Sequence, residues 1–159
     1  MDKENFVRLR KEEILRGFEA FDRVFKKSKH IKTNFLSGYI IAEKISLSES
    51  NSPLKIKNIK VGFVVSKKMF RKANERNKIK RLLKESYRLN RDIYLEGYSD
   101  LYISLILGVN IESEAANDLS DVNKYSIVNS EMLRLLNEIK SYLDTKTNIN
   151  NEIRTDISD

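Results

Sequence analysis

The chain has 159 residues, 33% of them charged, with a net charge of +7, one histidine and no cysteine. Without cysteine there is no disulfide framework, thiolate zinc site or cysteine nucleophile, and the lone His30 supplies neither a triad nor a multi-histidine metal site. The first residues are charged with no apolar signal core, and nowhere do about 18 apolar residues run together, so the sequence predicts neither an exported nor a membrane-spanning protein and fits a reducing cytoplasm.

The length suits one domain. Charge is segregated along it: residues 55–91 carry fourteen Lys or Arg against two acids, whereas residues 92–159 carry five against thirteen. A field of that kind argues for a polyanionic partner, not for a fold.

Residues 1–16 read as a charged lead-in and 17–144 as the domain. Over 17–27, Phe18, Phe21, Val24 and Phe25 recur at helical spacing, with Gly17 as N-cap and lysines at the C-terminal end. Phe18 falls off the Phe21/Phe25 stripe and is assigned to the core. Residues 35–45 are β-branched and aromatic, hence a strand. Residues 46–54 hold the only proline and form a loop. Residues 56–66 predict a second strand, paired antiparallel with the first in a long hairpin. A basic helix follows over about 72–91.

Leu101–Val109 is an apolar run typical of a strand buried on both faces. Residues 110–125 are a polar, acidic loop. Residues 126–143 return to helical period through Met132, Leu135, Leu136, Ile139 and Leu143, capped by Asn129 or Ser130. Residues 145–159 read as a disordered acidic tail. There is no internal repeat, and the order of elements gives a two-layer α+β domain.

The basic helix carries the most information. Arg76, Lys80, Lys84 and Arg88 recur every fourth residue while Ile79, Leu82, Leu83 and Tyr87 fill the inner face, so one side is cationic and the other apolar. The bland reading is a solvated face. The SKK segment at Ser66, Lys67 and Lys68, with Arg71 and Lys72 in the connection, adds cations near a helix start, where backbone amides attract phosphate. Arg76 offers bidentate phosphate geometry, Lys80 and Lys84 point charges, and Asn77 a directed hydrogen bond. A major-groove DNA helix is a competing reading, with Asn77 and Arg81 facing bases, but the element before it is a strand and not the scaffold helix of a helix-turn-helix. Asp92, Glu96 and Asp100 superficially suggest a metal nuclease and are read as decorating the loop after the helix.

The run Arg76-Asn77-Lys78-Ile79-Lys80-Arg81-Leu82-Leu83-Lys84-Glu85, preceded by Val65-Ser66-Lys67-Lys68, resembles the RNR signature of the bacterial ribonuclease P protein subunit, with Lys78 where that family often has Arg. The early FEAFDRVFKKSKHIKTNF looks like the family's first helix, and LYISLILG like its buried fourth strand.

The resemblance implies an α-β-β-β-α-β-α sandwich with a left-handed β-α-β crossover, like the second domain of a ribosomal protein, and a short extra strand near His30–Thr33. It also implies that the chain is a subunit of an endonuclease in which the RNA subunit, with bound magnesium, removes the 5′ leader of precursor tRNA, so that no residue here is catalytic or ligates metal. Its partners would be ribonuclease P RNA and precursor tRNA, with no membrane and no DNA. Ser66, Lys67, Lys68, Arg76, Asn77, Lys78, Lys80, Arg81, Lys84 and Arg88 would meet the catalytic RNA. Phe21, Phe25 and the matching strand tyrosine, Tyr39, would line the leader cleft, where bases stack on aromatic faces in a cationic groove. The strand register decides the face Tyr39 takes, because a one-residue slip reverses it. A ribosomal or RNA-assembly protein that binds structured RNA is the alternative, separated from this reading only by the signature.

Overall fold

The computed structural model describes residues 8–45, 58–112 and 124–157, with the side chains of 125–147 in the last segment. A 3-10 turn at Lys11–Glu13 precedes helix α1 (Phe18–Lys27), strands β1 (Lys29–Lys32), β2 (Leu36–Lys44) and β3 (Ile59–Val64), helix α2 (Ala73–Leu95), strand β4 (Leu101–Val109) and helix α3 (Lys124–Ile157). The order α-β-β-β-α-β-α follows, short first strand included. The proline loop at 46–54 and most of the acidic 110–125 loop lie outside the described residues.

The four strands form one sheet in the order β1-β2-β4-β3, with β2 antiparallel to both β1 and β4, and β3 parallel to β4. The predicted β2–β3 hairpin is therefore wrong. The apolar β4 run is buried along its length and takes the centre, displacing β3 to the edge, where half-exposed Ile59, Phe63 and Val64 and exposed Lys60 are tolerated. A parallel pair needs a crossover connection, and α2 is that connection. The hairpin the chain does form joins β1 to β2, closed by the Thr33 amide donating to the Leu36 carbonyl at 2.8 Å.

Leu36, Ile40 and Ala42 of β2, Val61 of β3 and the odd-numbered residues of β4 face α2 and α3 in the main core. There Phe63 meets the buried Tyr87 edge-on at 5.9 Å between ring centres, a contact worth about 0.5–1.5 kcal/mol beyond area burial. The other face carries Ile41, Ile106, Tyr39 and Val64, and among the described residues only α1 with the segment before it covers them, through Leu15, Ala20, Phe21 and Val24. Part of that face stays open.

The N-terminal segment is more than a charged lead-in. Leu9 and Leu15 are buried, the Leu15 amide donates to the Val61 carbonyl at 2.9 Å, and buried Glu13 accepts from Arg91 of α2 at 2.6 Å. This strip pairs with the outer edge of β3, covering an edge that would otherwise offer unpaired backbone groups.

At the other end, α3 starts at Lys124, so Asn129 and Ser130 lie inside it and do not cap it. The tail expected to be disordered continues the helix to Ile157: no Gly or Pro follows Leu143 to stop it, Thr145 and Thr147 hydroxyls donate to carbonyls four residues back, and the Lys146 amine donates to the Ala42 carbonyl at 3.0 Å.

Candidate nucleic-acid interface

Helix α1 crosses the open sheet face from β3 toward β2, because Phe21 and Phe25 sit one turn apart on its inner side and Val24 between them is 1% exposed. Phe21 lies over Gly62 of β3. A Cβ there would stand 2.5 Å from the Phe21 Cζ, so only glycine leaves room for the ring. One turn on, Phe25 meets Tyr39 edge-on at 5.0 Å. Tyr39 therefore takes the α1 face, and the register question is settled: His30 is its cross-strand partner, and the two rings stack at 4.1 Å and 8°. Phe25 is 46% exposed, an aromatic surface left partly open beside a strand. The Phe18 assignment was wrong, since it is 84% exposed at the first turn of α1.

Two hollows flank this aromatic row. The first, about 200 Å³, lies among Phe25, His30, Tyr39, Ser66, Asn110 and Ile111. The second, about 460 Å³, runs along β3 between Phe21 on one side and Asn77, Lys80, Arg81 and Lys84 on the other. Phe21 is thus the wall of the basic groove, while Phe25 and Tyr39 line the first hollow. The three residues expected in one cleft are divided between two adjoining ones.

On α2, Asn77, Lys80, Arg81 and Lys84 stand at i, i+3, i+4 and i+7, a single stripe by the 3.6-residue turn. All four are exposed, and among the described residues none of the three cations has an ion pair. Among the described residues no acid compensates their charge. Lys78 is exposed too, but at 100° per residue it points away from the stripe. Arg88 continues the stripe geometrically and is spent internally: its guanidinium donates to Glu85 through both Nε, at 3.0 Å, and Nη2, at 2.6 Å. That pair holds the Glu85 carboxyl below its usual range, chiefly through the hydrogen bond.

Arg76 also differs from its expected role. It is half-buried, and its Nη1 donates to the carbonyls of Phe70 and Arg71 at 2.8 Å each, tying down the connection between β3 and α2. The signature arginine thereby shapes the loop that presents Ser66, Lys67 and Lys68. In that loop the Ser66 Oγ accepts from the Lys68 amide at 3.1 Å, and both lysines stay exposed on a turn. Lys72, the N-cap of α2, makes no side-chain cap hydrogen bond, and of the first-turn amides that of Glu75 donates to the Asn74 side-chain oxygen at 3.0 Å.

His30 is the residue sequence reasoning missed. The sequence gives it no role beyond excluding a triad and a multi-histidine metal site, and the structure puts it in β1 against Tyr39, lining the first hollow. The alternation of His30 and Lys32 within KHIK is the only local signal, and it acquires meaning once β1 is known to pair with β2. Burial, and then the neighbouring Lys32 charge, push the imidazole below its ordinary pKa, while Glu112 pulls the other way. Lys32 itself is paired with Glu112 at 2.6 Å.

Among the described residues no three His, Asp or Glu side chains converge as a cation site, and no helix is long and apolar enough to cross a membrane. What is assembled instead is a row of partly open aromatic rings bordered by unpaired cations, the combination that binds single-stranded nucleic acid.

Comparison with known proteins agrees. The family profile described as Ribonuclease P matches residues 9–130. The ribonuclease P protein component of Alkaliphilus oremlandii is 36% identical over 90 residues, 57% of this chain and 68% of the relative. That of Clostridium botulinum (strain Loch Maree) is 29% identical over 133 residues, 83% of this chain and 98% of the relative. In fold, the chain is similar to the RNase P protein of Thermotoga maritima, with a TM-score of 0.57 at 22% identity over 79% of this chain and 96% of that one. The Staphylococcus aureus RNase P protein gives 0.57 at 20% identity over 80% and 95%. A helix carrying the Arg76–Glu85 signature, crossing from β3 to a buried central strand and bearing an uncompensated cationic stripe, is what the family match explains: the chain belongs to the ribonuclease P protein family, the protein component of a ribonucleoprotein enzyme of tRNA processing.

Proposed function

We propose that this chain works in its holoenzyme through two adjoining surfaces, one for each RNA. The α2 stripe of Asn77, Lys80, Arg81 and Lys84, with Lys67 and Lys68 on the preceding turn, anchors the catalytic ribonuclease P RNA. The hollow of Phe25, Tyr39 and Ser66 holds the single-stranded 5′ leader of precursor tRNA, with Phe21 as the partition between the two. Magnesium belongs to the RNA in this reading: the protein supplies cations and stacking surfaces that favour folded RNA and bound leader, and no step passes through a metal on the protein. This work takes place in the cytoplasm.

The observation that carries the proposal is the Phe25–Tyr39 contact beside an open hollow, with Phe25 46% exposed. An aromatic ring serving only the core would be covered. The experiment is equilibrium binding of precursor tRNA and of the same tRNA without its leader to reconstituted holoenzyme. Phe25→Ala is expected to weaken precursor binding by one stacked base, about 1–3 kcal/mol or 5- to 150-fold, with mature tRNA unchanged. Equal losses for both ligands would show that Phe25 does not touch the leader.

A further inference from the structure

Within the first hollow the rings are not equivalent. Phe25 and Tyr39 offer carbon surfaces, whereas His30, outermost on edge strand β1, carries two ring nitrogens that make no hydrogen bond among the described residues. It is exposed, and its inner face is held by the Tyr39 stack at 4.1 Å, which fixes the ring without engaging its polar edge. The other cation of this hollow is already used: Lys32 donates to Glu112 at 2.6 Å. A phosphate entering here therefore finds, among the described residues of the hollow, one uncommitted group that can become cationic, the His30 imidazole.

We propose that His30 is a specificity-determining member of the cleft: as a neutral ring it extends the stacking row, and as imidazolium it also holds a phosphate of the bound single-stranded RNA. The proposal rests on the leader reading above and adds to it a charge-dependent contact. The groups facing His30 are Lys32 on its own strand, Tyr39 on β2 and Glu112 beyond β4. From α1 comes Phe25; the nearest charges on that helix, Asp22 and Lys26, pair with each other at 2.9 Å and do not line the hollow. Burial and Lys32 keep the free imidazole neutral at pH 7.5, and Glu112, bound to Lys32, opposes them only in part. A bound phosphate favours the charged ring, so by linkage the complex tightens as pH falls toward 5.5.

The test measures affinities of reconstituted holoenzyme for precursor tRNA and leaderless tRNA at pH 7.5 and 5.5. Their ratio cancels effects of pH on the rest of the RNA. In the wild-type protein the preference for precursor is expected to rise with acidification, severalfold between pH 7.5 and 5.5 and short of the tenfold limit that a one-unit upward shift of the imidazole on binding allows, about fivefold. His30→Phe, which keeps a ring on Tyr39 but cannot ionise, is expected to lose the pH response, whatever its preference at pH 7.5. A response equal in wild type and His30→Phe overturns the assignment, as does a wild-type preference that does not move. Phe25→Ala separates this from the underlying reading: if it leaves the precursor preference intact, the leader reading fails by itself, whatever His30 does.

Discussion

The α2 stripe makes a quantitative prediction because its charges can be counted. Lys80, Arg81 and Lys84 are exposed and unpaired, whereas Arg88 on the same stripe is neutralised by two hydrogen bonds to Glu85. If the stripe contacts phosphates of the catalytic RNA, each of the three releases roughly 0.7–0.9 counterions on binding, about 2.1–2.7 together. Replacing all three with alanine should lower the slope of log affinity against log monovalent salt by that amount. Between 50 and 200 mM salt, a fourfold change, the wild type should then lose about 20- to 40-fold more affinity than the triple variant. Arg88→Ala should leave the slope nearly unchanged, since its charge is already compensated within the protein. The assay is a filter-binding titration of protein against catalytic RNA across that range at fixed low magnesium. An unchanged slope in the triple variant, or an equal fall for Arg88→Ala, would refute the argument that unpaired charge on this stripe does the binding.

Two further outcomes test the scaffold under the site. Gly62→Ala places a methyl 2.5 Å from the Phe21 Cζ, so the ring must swing out of its seat; a loss of about 1–3 kcal/mol in urea denaturation is expected, together with weakened RNA binding, and an unperturbed variant would mean that Phe21 does not rest on β3. Glu13 and Arg91 are about 9% and 10% exposed and 2.6 Å apart, so Glu13→Leu should cost up to about 3 kcal/mol by leaving the buried guanidinium only its 3.6 Å contact with Asp92, whereas the Glu13→Leu/Arg91→Leu double variant should recover most of it; equal stabilities of single and double variants would disprove the pairing.

Much of this was legible from local pattern. α1, β2, α2 and β4 announce themselves because their apolar residues repeat at 3.6, at 2 or without interruption, and the cationic stripe lies on the far side of the same α2 period. What local pattern misreads is partnership. β2 and β3 are neighbours in sequence and separated in the sheet, since β4, more thoroughly apolar than either, claims the central position from forty residues away. Arg76 and Arg88 look identical to Lys80 and Lys84 on a helical wheel. Only coordinates reveal that one bonds the Phe70 and Arg71 carbonyls and the other Glu85. His30 is silent for the same reason: its meaning lies in the register of a four-residue strand too short to show a period. Glu13 and Leu15 read as part of a charged lead-in because the partners that bury them, Arg91 and the β3 edge, are far along the chain.

The central place of β4 also sets the order in which the protein can be finished. When Leu101–Val109 is still to be synthesised, β2 has only the four-residue β1 beside it, β3 has only the N-terminal strip, and the amphipathic α2 has no completed sheet on which to lay its inner face. Two strands and a helix must wait, because the pairing that unites them joins residues far apart in sequence and closes late. Its charged stripe needs no such completion, being a property of one helix. A nascent chain of this protein thus displays its cationic stripe before β4 has joined its sheet.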